Sequence, residues 1–143
     1  MDTAPRERFG KLTLLQASRA TKYPQSPGEA HLEVFDNLYA DRDYVIEFDC
    51  PEYTSLCPVT GQPDFGHIVI RYVPDKLCIE SKSLKLYLYS FRNANIFHEE
   101  AVNHLLSAVV EAAHPRKAEV TGHFRPRGGI AINVKATMGG KIE

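Results

Sequence analysis

The sequence predicts a single α+β domain with two helices on one face of an antiparallel sheet. Residues typical of strands fill two runs in the first half of the chain, apolar residues at helical spacing fill the middle, and alternating patterns return near the end. The chain of 143 residues has the length of one ordinary domain. The predicted order is strand, strand, helix, helix, strand, strand. Four short strands leave open sheet edges, which favours assembly.

The first two strands are predicted at residues 44–50 and 68–73, where β-branched and aromatic side chains are concentrated. The segment between them, residues 54–66, contains two prolines and two glycines. Because these residues restrict or extend the backbone angles, we expect an ordered loop that connects two neighbouring strands. Such a loop is too long for a tight hairpin and is typical of a functional site.

Two helices are predicted in the middle of the chain. Apolar residues recur at helical spacing over residues 84–91, although three leucines there also alternate as in a strand. A helix is favoured because Ser81 can cap it and no β-branched residue occurs in residues 81–95. The second helix is predicted over about residues 97–113 and ends before a proline.

The last two strands are predicted at residues 118–124 and 130–134, where apolar and polar side chains alternate. Residues 125–129, Arg-Pro-Arg-Gly-Gly, are expected to form a hairpin-like turn between them. At the other end of the chain, residues 1–35 are polar and interrupted by prolines. We expect an irregular N-terminal arm there, followed by one domain at residues 36–143.

The composition argues against several classes of function. Hydrophobic residues make up 43% of the chain and charged residues 24%, as in an ordinary globular protein. The 17 Lys and Arg residues nearly balance the 18 Asp and Glu residues, so no overall field attracts nucleic acid or acidic membranes. No apolar run approaches the ~18–20 residues that would cross a bilayer. Three cysteines cannot all pair and no secretory leader is evident, so we expect a reducing cytoplasm.

Cys57 and Asp64 place a thiol and a carboxylate seven residues apart in the 54–66 segment. A thiol reacts as its thiolate, which needs nearby positive charge, hydrogen-bond donors or a proton acceptor. Asp64 could take the thiol proton or return one later, so the pair indicates a nucleophilic cysteine with a proton partner. A structural role is the alternative for Cys57, and it is the role expected for Cys50 and Cys78 in or beside strands.

Other charged residues could bind a ligand. Lys82 and Lys85 lie three residues apart near a predicted helix start, whose backbone N–H groups attract anions, so a phosphate could bind there. A solvated amphipathic helix is the alternative. Glu99 could accept hydrogen bonds from the N–H edge of a purine, although a carboxylate also stabilises a helix start. No metal site is predicted, because the compact paired spacings of cysteine and histidine ligands are missing.

Four motifs in a fixed order resemble those of a known family. They are Cys57-Pro58 through Gln62-Pro63-Asp64-Phe65, then Glu80-Ser81-Lys82-Ser83-Leu84-Lys85-Leu86-Tyr87, then Phe97-His98-Glu99, and then Pro126-Arg127-Gly128-Gly129. Over residues 23–134 the chain resembles the short form of the NADPH-dependent 7-cyano-7-deazaguanine reductases, the QueF nitrile reductases of queuosine biosynthesis.

The resemblance implies a tunnelling fold with the order ββααββ. In that fold subunits join their sheets into an oligomeric β-barrel, bind a flat heterocycle at subunit interfaces, and stack as paired rings, which we expect to form a decamer. The implied partners are a deazapurine substrate and further copies of the chain, with no direct nucleic acid and no membrane. The implied cofactor is NADPH, which reduces the nitrile to the amine of 7-aminomethyl-7-deazaguanine after Cys57 has formed a thioimide, while Asp64 handles protons.

The resemblance also assigns site residues. The implied substrate contacts are Ile79, Glu80, Ser81, His98 and Glu99. The implied cofactor contacts are Lys82, Ser83, Lys85 and Arg127. The two lysines and the arginine also have a physical reason to meet phosphate, since their side chains are cationic.

Two alternatives remain open at this stage. A pterin-forming cyclohydrolase relative of the same fold would use bound zinc to activate water. A non-catalytic purine-binding module would have Cys57 in its pocket without using it. Metal content separates the first alternative from the reductase, and the activity of a Cys57→Ala variant separates the second.

Overall fold

The computed structural model describes Leu12 and residues 22–143. Within this part of the chain, six strands and two α-helices follow one another: β1 (Val34–Asp36), β2 (Ile46–Leu56), β3 (Pro63–Val73), β4 (Leu77–Ile79), α1 (Ser81–Tyr89), α2 (His98–Ala113), β5 (Lys117–Phe124) and β6 (Asn133–Met138). Short 3₁₀ helices cover Pro27–Glu29 and Ser90–Asn93.

The strands form two antiparallel sheets. The larger sheet has the order β2-β3-β5-β6, so β2 and β6 are its edges. The smaller sheet pairs β1 with β4. The predicted α+β class is confirmed. No helix in the described residues has the length and apolar character needed to span a membrane.

The core lies between the larger sheet and the helices. Ile68, Ile70 and Tyr72 alternate along β3, are fully buried, and belong to one apolar cluster with Val102 and Leu105 of α2. Burying a side chain of this size contributes about 1.5–3 kcal/mol, so this helix face is the main attachment of α2 to the sheet. α2 ends before Pro115, as predicted. The residue after its last turn, His114, adopts the left-handed backbone conformation that often ends a helix.

The capping residue of α1 differs from the prediction. Ser81 was the expected cap, but the cap is Glu80, whose carboxylate accepts hydrogen bonds of 2.7 Å from the backbone N–H groups of both Lys82 and Ser83. A buried carboxylate with two oxygens can bond two of the unpaired first-turn donors, whereas a serine hydroxyl usually bonds one.

The connection between β2 and β3 is shorter than the loop predicted at residues 54–66. The strands pair Ser55 with Asp64 and Leu56 with Pro63, so only residues 57–62 lie outside them. Pro63 is the first residue of its strand, a position that proline tolerates. Asp64 is therefore held by a sheet and not by a loop.

The last strand also differs from the prediction. A strand was expected at residues 130–134, but β6 begins at Asn133 and extends to Met138. Arg127 and Ile130 exchange two backbone hydrogen bonds of 3.0 Å, and Gly128 and Gly129 have positive φ angles of 57° and 80°. Because Ile130 belongs to this tight turn, the strand begins later in the chain than predicted.

The sequence patterns did not indicate β1 and β4, which have three residues each. β1 crosses the predicted boundary between arm and domain at residues 35 and 36. Most of the predicted arm, residues 1–11 and 13–21, lies outside the described residues. The domain boundary therefore stays a prediction.

Candidate active site

The backbone of residues 57–62 closes on itself and holds the thiol of Cys57. The N–H of Cys57 donates to the carbonyl oxygen of Gln62 at 2.9 Å, and the N–H of Gly61 donates to the carbonyl oxygen of Cys57 at 2.8 Å. Gly61 has a φ of 70°, which most residues with a side chain adopt only with strain. The thiol is half-buried in this turn.

Hydrogen bonds lower the pKa of Cys57 to about 7. The hydroxyl of Thr60 has the largest effect, followed by the backbone N–H groups of Thr60 and Val59, and Arg127 adds a smaller effect. Donors to sulfur stabilise the thiolate more than the thiol, so a large share of Cys57 is ionised at neutral pH. Thr60 was not among the predicted site residues.

Asp64 is paired with a cation that also affects the Cys57 thiol. Its side chain is 6% exposed, and its Oδ1 is 2.9 Å from Nη2 of Arg127. The same guanidinium nitrogen donates to the carbonyl oxygen of Pro63 at 3.0 Å. Arg127 thus contacts the carboxylate and also affects the thiol, and it links the two groups that the sequence predicted to work together.

The start of α2 lies beside the thiol turn. The N–H of Leu56 donates to Ala94 at 2.9 Å, and the N–H of Ile96 donates to Leu56 at 3.1 Å. Leu56 and Asn95 thereby form a short parallel bridge. The two segments run in the same direction. Cys57, which follows Leu56, therefore lies on the same side of this bridge as the first residues of α2.

His98, at this helix start, stacks on an aromatic ring. Its ring centroid is 3.9 Å from that of Phe124, at an angle of 14°. Gly66 and Gly122 leave room for Phe124, since a Cβ atom on either would lie 2.7 Å from its ring. Nδ1 of His98 is buried without a hydrogen-bond partner among the described residues. Glu99 is exposed. Both side chains can reach a ligand here, and their role as substrate contacts stays a prediction.

The other predicted site residues lie at the start of α1. Ile79 is buried and its N–H donates to the Tyr72 hydroxyl at 2.9 Å, while the Glu80 carboxylate caps the helix. Ser83 is fully buried: its hydroxyl donates to the carbonyl of Glu80 at 2.7 Å and accepts from the N–H of Glu33 at 2.9 Å. In one protomer these three residues make structural contacts.

Ser81 and Lys85 are exposed and line a groove of about 430 Å³ between α1 and β2. The groove extends to Tyr53 on β2 but does not include residues 57–62. The structure therefore brings Cys57, Asp64 and Arg127 together, and leaves the α1 residues as a second group.

The α1 residues suit a phosphorylated cofactor through their side chains. Lys82 and Lys85 lie three residues apart, so their ammonium groups can both reach one phosphate. We also expected backbone N–H groups at the helix start to bind the phosphate, but those of Lys82 and Ser83 already donate to Glu80. The two lysine side chains alone therefore suit the phosphate groups of NADPH.

The described residues contain no group of three or more His, Cys, Asp or Glu side chains placed to hold a metal ion. A zinc-dependent cyclohydrolase would need such a group of ligands in or between its subunits.

An antiparallel α+β scaffold in which one arginine pairs with a buried carboxylate and also lowers the pKa of a cysteine suits an enzyme of the cysteine-nucleophile class. A family model described as QueF-like protein matches residues 63–142, more than half of the chain. The chain therefore belongs to the QueF-like family.

Curated relatives cover most of this chain. The sequence is 55% identical over 127 residues to the NADPH-dependent 7-cyano-7-deazaguanine reductase of Streptococcus thermophilus, a match over 89% of this chain and 77% of the relative. The protein of that name from Bacteroides thetaiotaomicron is 51% identical, with 90% and 84% covered. The one from Neisseria gonorrhoeae is 51% identical, with 87% and 80% covered.

A solved structure supports the fold. The crystal structure of the archaeosine synthase QueF-Like in its apo form superposes with a TM-score of 0.61 at 25% sequence identity. The match covers 70% of this chain and 96% of that one. The predicted family and fold are confirmed.

Proposed function

We propose that this protein uses NADPH to reduce the nitrile of 7-cyano-7-deazaguanine to the primary amine of 7-aminomethyl-7-deazaguanine, a step in queuosine biosynthesis. The observation that carries the proposal is the contact of Arg127 with both the activated thiol of Cys57 and the buried carboxyl group of Asp64. The name shared by relatives that are 51–55% identical over most of this chain supports the same reaction.

Cys57 is the nucleophile in this mechanism. Asp64 accepts the proton of the Cys57 thiol, the thiolate adds to the nitrile carbon and forms a C–S bond, and Asp64 then gives that proton to the nitrile nitrogen. The products are a covalent thioimide and a carboxylate. Arg127, 2.9 Å from Asp64, offsets the negative charge that remains on the carboxylate.

Bound NADPH supplies hydride to the carbon atom that Cys57 has attacked. The change from nitrile to primary amine adds two hydrides and two protons, so Asp64 must be reprotonated when it acts as donor more than once. Cleavage of the C–S bond returns the thiolate of Cys57, which the donors of Thr60 and Val59 again stabilise.

Lys82 and Lys85 bind phosphate of the cofactor in this proposal. A guanidinium group carries five N–H donors, so Arg127 keeps donors for the cofactor beside its bonds to Asp64 and Pro63. His98 and Glu99 receive the base, since a carboxylate can accept from two adjacent N–H groups of a purine-like edge.

A second copy of the chain completes the site. The α1 residues and the thiol turn form two groups in one protomer, so a ligand that touches both must lie between protomers. The edges of β2 and β6 are open for pairing. Apolar side chains near the thiol turn are also exposed, with 79% exposure for Val59, 47% for Phe97 and 68% for Ile130. Joined sheets in paired rings, a decamer, would cover them.

The proposed setting is the cytoplasm, with residues 36–143 as the catalytic domain and residues 1–35 as an arm. Cys50, Cys57 and Cys78 are all free thiols. A reducing compartment keeps thiols in this state, which a cysteine nucleophile needs.

The test begins with the substrate nitrile and no NADPH. Intact mass should show one covalent adduct per chain, and a Cys57→Ser variant should show none. Cys50→Ser is the matched control, because burial raises the pKa of Cys50 to about 11 and that thiol should not react. With NADPH present, two cofactors should be oxidised for each amine formed. Absence of the adduct in the unaltered protein, or unchanged turnover in Cys57→Ser, would reject the mechanism.

A further inference from the structure

Two buried hydroxyl groups near Asp64 lack hydrogen-bond partners. Tyr53 is 3% exposed and Ser55 is 1% exposed, yet neither Oη of Tyr53 nor Oγ of Ser55 bonds any group of the described residues. Buried polar atoms are nearly always paired with protein or with ordered water. The mechanism above uses neither residue, so their position needs an explanation.

Ser55 lies directly opposite Asp64 in the antiparallel pair of β2 and β3. Opposite residues project to the same face of a sheet, with Cβ atoms about 4.5–5.5 Å apart. Tyr53 lies two residues earlier on β2 and so projects to that face as well. All three side chains are buried on the helix side of the sheet, where Tyr53 packs against Phe124 with ring centroids 6.0 Å apart.

The electrostatic environment of Tyr53 places the three groups near one another. The pKa of Tyr53 is raised to about 12, chiefly by burial, while the Ser55 hydroxyl lowers it and the charges of Asp64 and Tyr87 raise it. The two hydroxyls are thus close enough to interact, although they do not meet the geometry of a direct hydrogen bond. The phenol is therefore neutral at all physiological pH values. A neutral hydroxyl can accept one proton and donate another without ionising.

Tyr53 lies between this buried group and a surface groove. It lines the groove of about 430 Å³ between α1 and β2, which also includes Pro51 and Glu52 at the bulge of β2. Ser55 does not line this groove. The order from the groove inward is thus Tyr53, Ser55 and Asp64.

The reaction requires such a route. Each turnover consumes two protons, but Asp64 holds only one, is 6% exposed, and has one oxygen occupied by Arg127. A carboxylate that is closed off in this way regains a proton faster through a chain of hydroxyls and water than through a covered surface.

We infer that Tyr53 and Ser55, bridged by buried water, form a proton path from the groove between α1 and β2 to Asp64. They are positioning residues: one proton enters at Tyr53, one leaves Ser55 for the carboxylate of Asp64, and no group is oxidised or reduced. The inference rests on the proposed role of Asp64 as proton donor. Water is a suitable bridge because the site offers two hydroxyls and a carboxylate as partners.

The test uses Ser55→Ala and Tyr53→Phe in the full chain. Adduct formation with substrate alone uses the proton that Asp64 takes from the Cys57 thiol, so its rate and amplitude should not change. Steady-state kcat should fall about tenfold, a modest part of the usual effect of proton transfer. The solvent isotope effect on kcat should rise because reprotonation becomes rate-limiting, and KM should stay within about twofold.

Ser90→Ala is the matched control, since it removes a buried hydroxyl in the same core outside the Tyr53–Ser55–Asp64 group. It should leave kcat and the isotope effect unchanged. Ser55→Thr, which keeps a hydroxyl, should restore the isotope effect. If Ser55→Ala does not fold, Tyr53→Phe decides the question, because it keeps the ring that packs on Phe124.

The inference is overturned if kcat is unaltered, if kcat falls without a change in isotope effect, or if adduct formation falls by the same factor as kcat. Asp64→Asn separates this result from the function itself. Loss of adduct formation in Asp64→Asn keeps the proposed donor in place whatever Ser55 and Tyr53 do, whereas full activity in Asp64→Asn removes the donor and the path together.

Discussion

The hydroxyl of Thr60 should control how much of Cys57 is ionised, and a Thr60→Val substitution tests this. The substitution keeps the shape of the side chain and removes the group with the largest effect on the pKa of Cys57. The backbone N–H of Gln62 donates to the Thr60 hydroxyl oxygen at 3.3 Å. That oxygen acts as the acceptor in this bond, so the hydroxyl hydrogen can be donated to the sulfur of Cys57. The bond between Cys57 and Gln62 that closes the turn does not involve this side chain.

The magnitude follows from the thiolate fraction. With a pKa of about 7, about half of Cys57 is thiolate at pH 7. If all the stabilising bonds were lost, the pKa would return to about 8.5 and the thiolate fraction would fall to about 3%. Thr60→Val removes the largest contribution of several, so thiolate at pH 7 should fall between about 2-fold and 15-fold.

The assay is the rate of alkylation of Cys57 by iodoacetamide as a function of pH, followed by intact mass. Because the folded pKa is lowered, the unaltered protein should gain reactivity as the pH rises through about 7. In Thr60→Val the curve should move to higher pH, with a plateau that is equal or higher, since a more basic thiolate is the better nucleophile. Thr60→Ser, which keeps the hydroxyl, should follow the unaltered curve. Identical curves for Thr60→Val and the unaltered protein would refute the reasoning, and a lower plateau at the same pH midpoint would indicate blocked access.

Three further predictions concern charged residues at or near the starts of the two helices. Glu99→Leu should weaken binding of the base far more than binding of NADPH, as measured by calorimetry, and equal losses would contradict its role. Lys85→Ala should raise KM for NADPH more than for NADH if its ammonium group meets the additional phosphate, while Lys76→Ala, on the turn after β3, should change neither value. Glu80→Ala should lower the free energy of unfolding in urea by about 1–2 kcal/mol because two helix-start donors lose their partner, and Ser81→Ala should have little effect if Glu80 alone is the cap.

The sequence predicted the presence of the longer elements because their patterns are repeated, and α2 shows an apolar stripe over four turns. The predicted strands at 44–50 and 68–73 cover only part of β2 and β3, because residues 54–66, rich in proline and glycine, indicated a loop. β1 and β4 have three residues each, too few to display a period. β6 began later than predicted because the pattern cannot show how many residues a turn will take up.

The candidate site was predicted less completely. Cys57 and Asp64 stand close together in sequence, so their pairing could be expected. The contribution of Thr60 depends on how the turn folds back toward the sulfur, and the position of Ser55 depends on the register of β2 against β3. A serine two residues before the cysteine and a threonine three residues after it were visible signals, but only the register places Ser55 opposite Asp64, and only the folded turn brings Thr60 to the sulfur.

The hydrogen bonds of Leu56 to the segment before α2 join the attacking sulfur to the opening of a helix through the main chain. In the proposed mechanism, backbone spacing would therefore set the distance between the electrophile and the sulfur, and a heterocycle held by the first residues of α2 would arrive already aligned. Side chains in the thiol turn could then be exchanged without loss of this alignment, provided that the peptide groups of residues 94–96 stay where they are. A single proline at Ile96 would remove its N–H and should separate ligand affinity from reactivity, with tight binding of the base and little bond formation at sulfur.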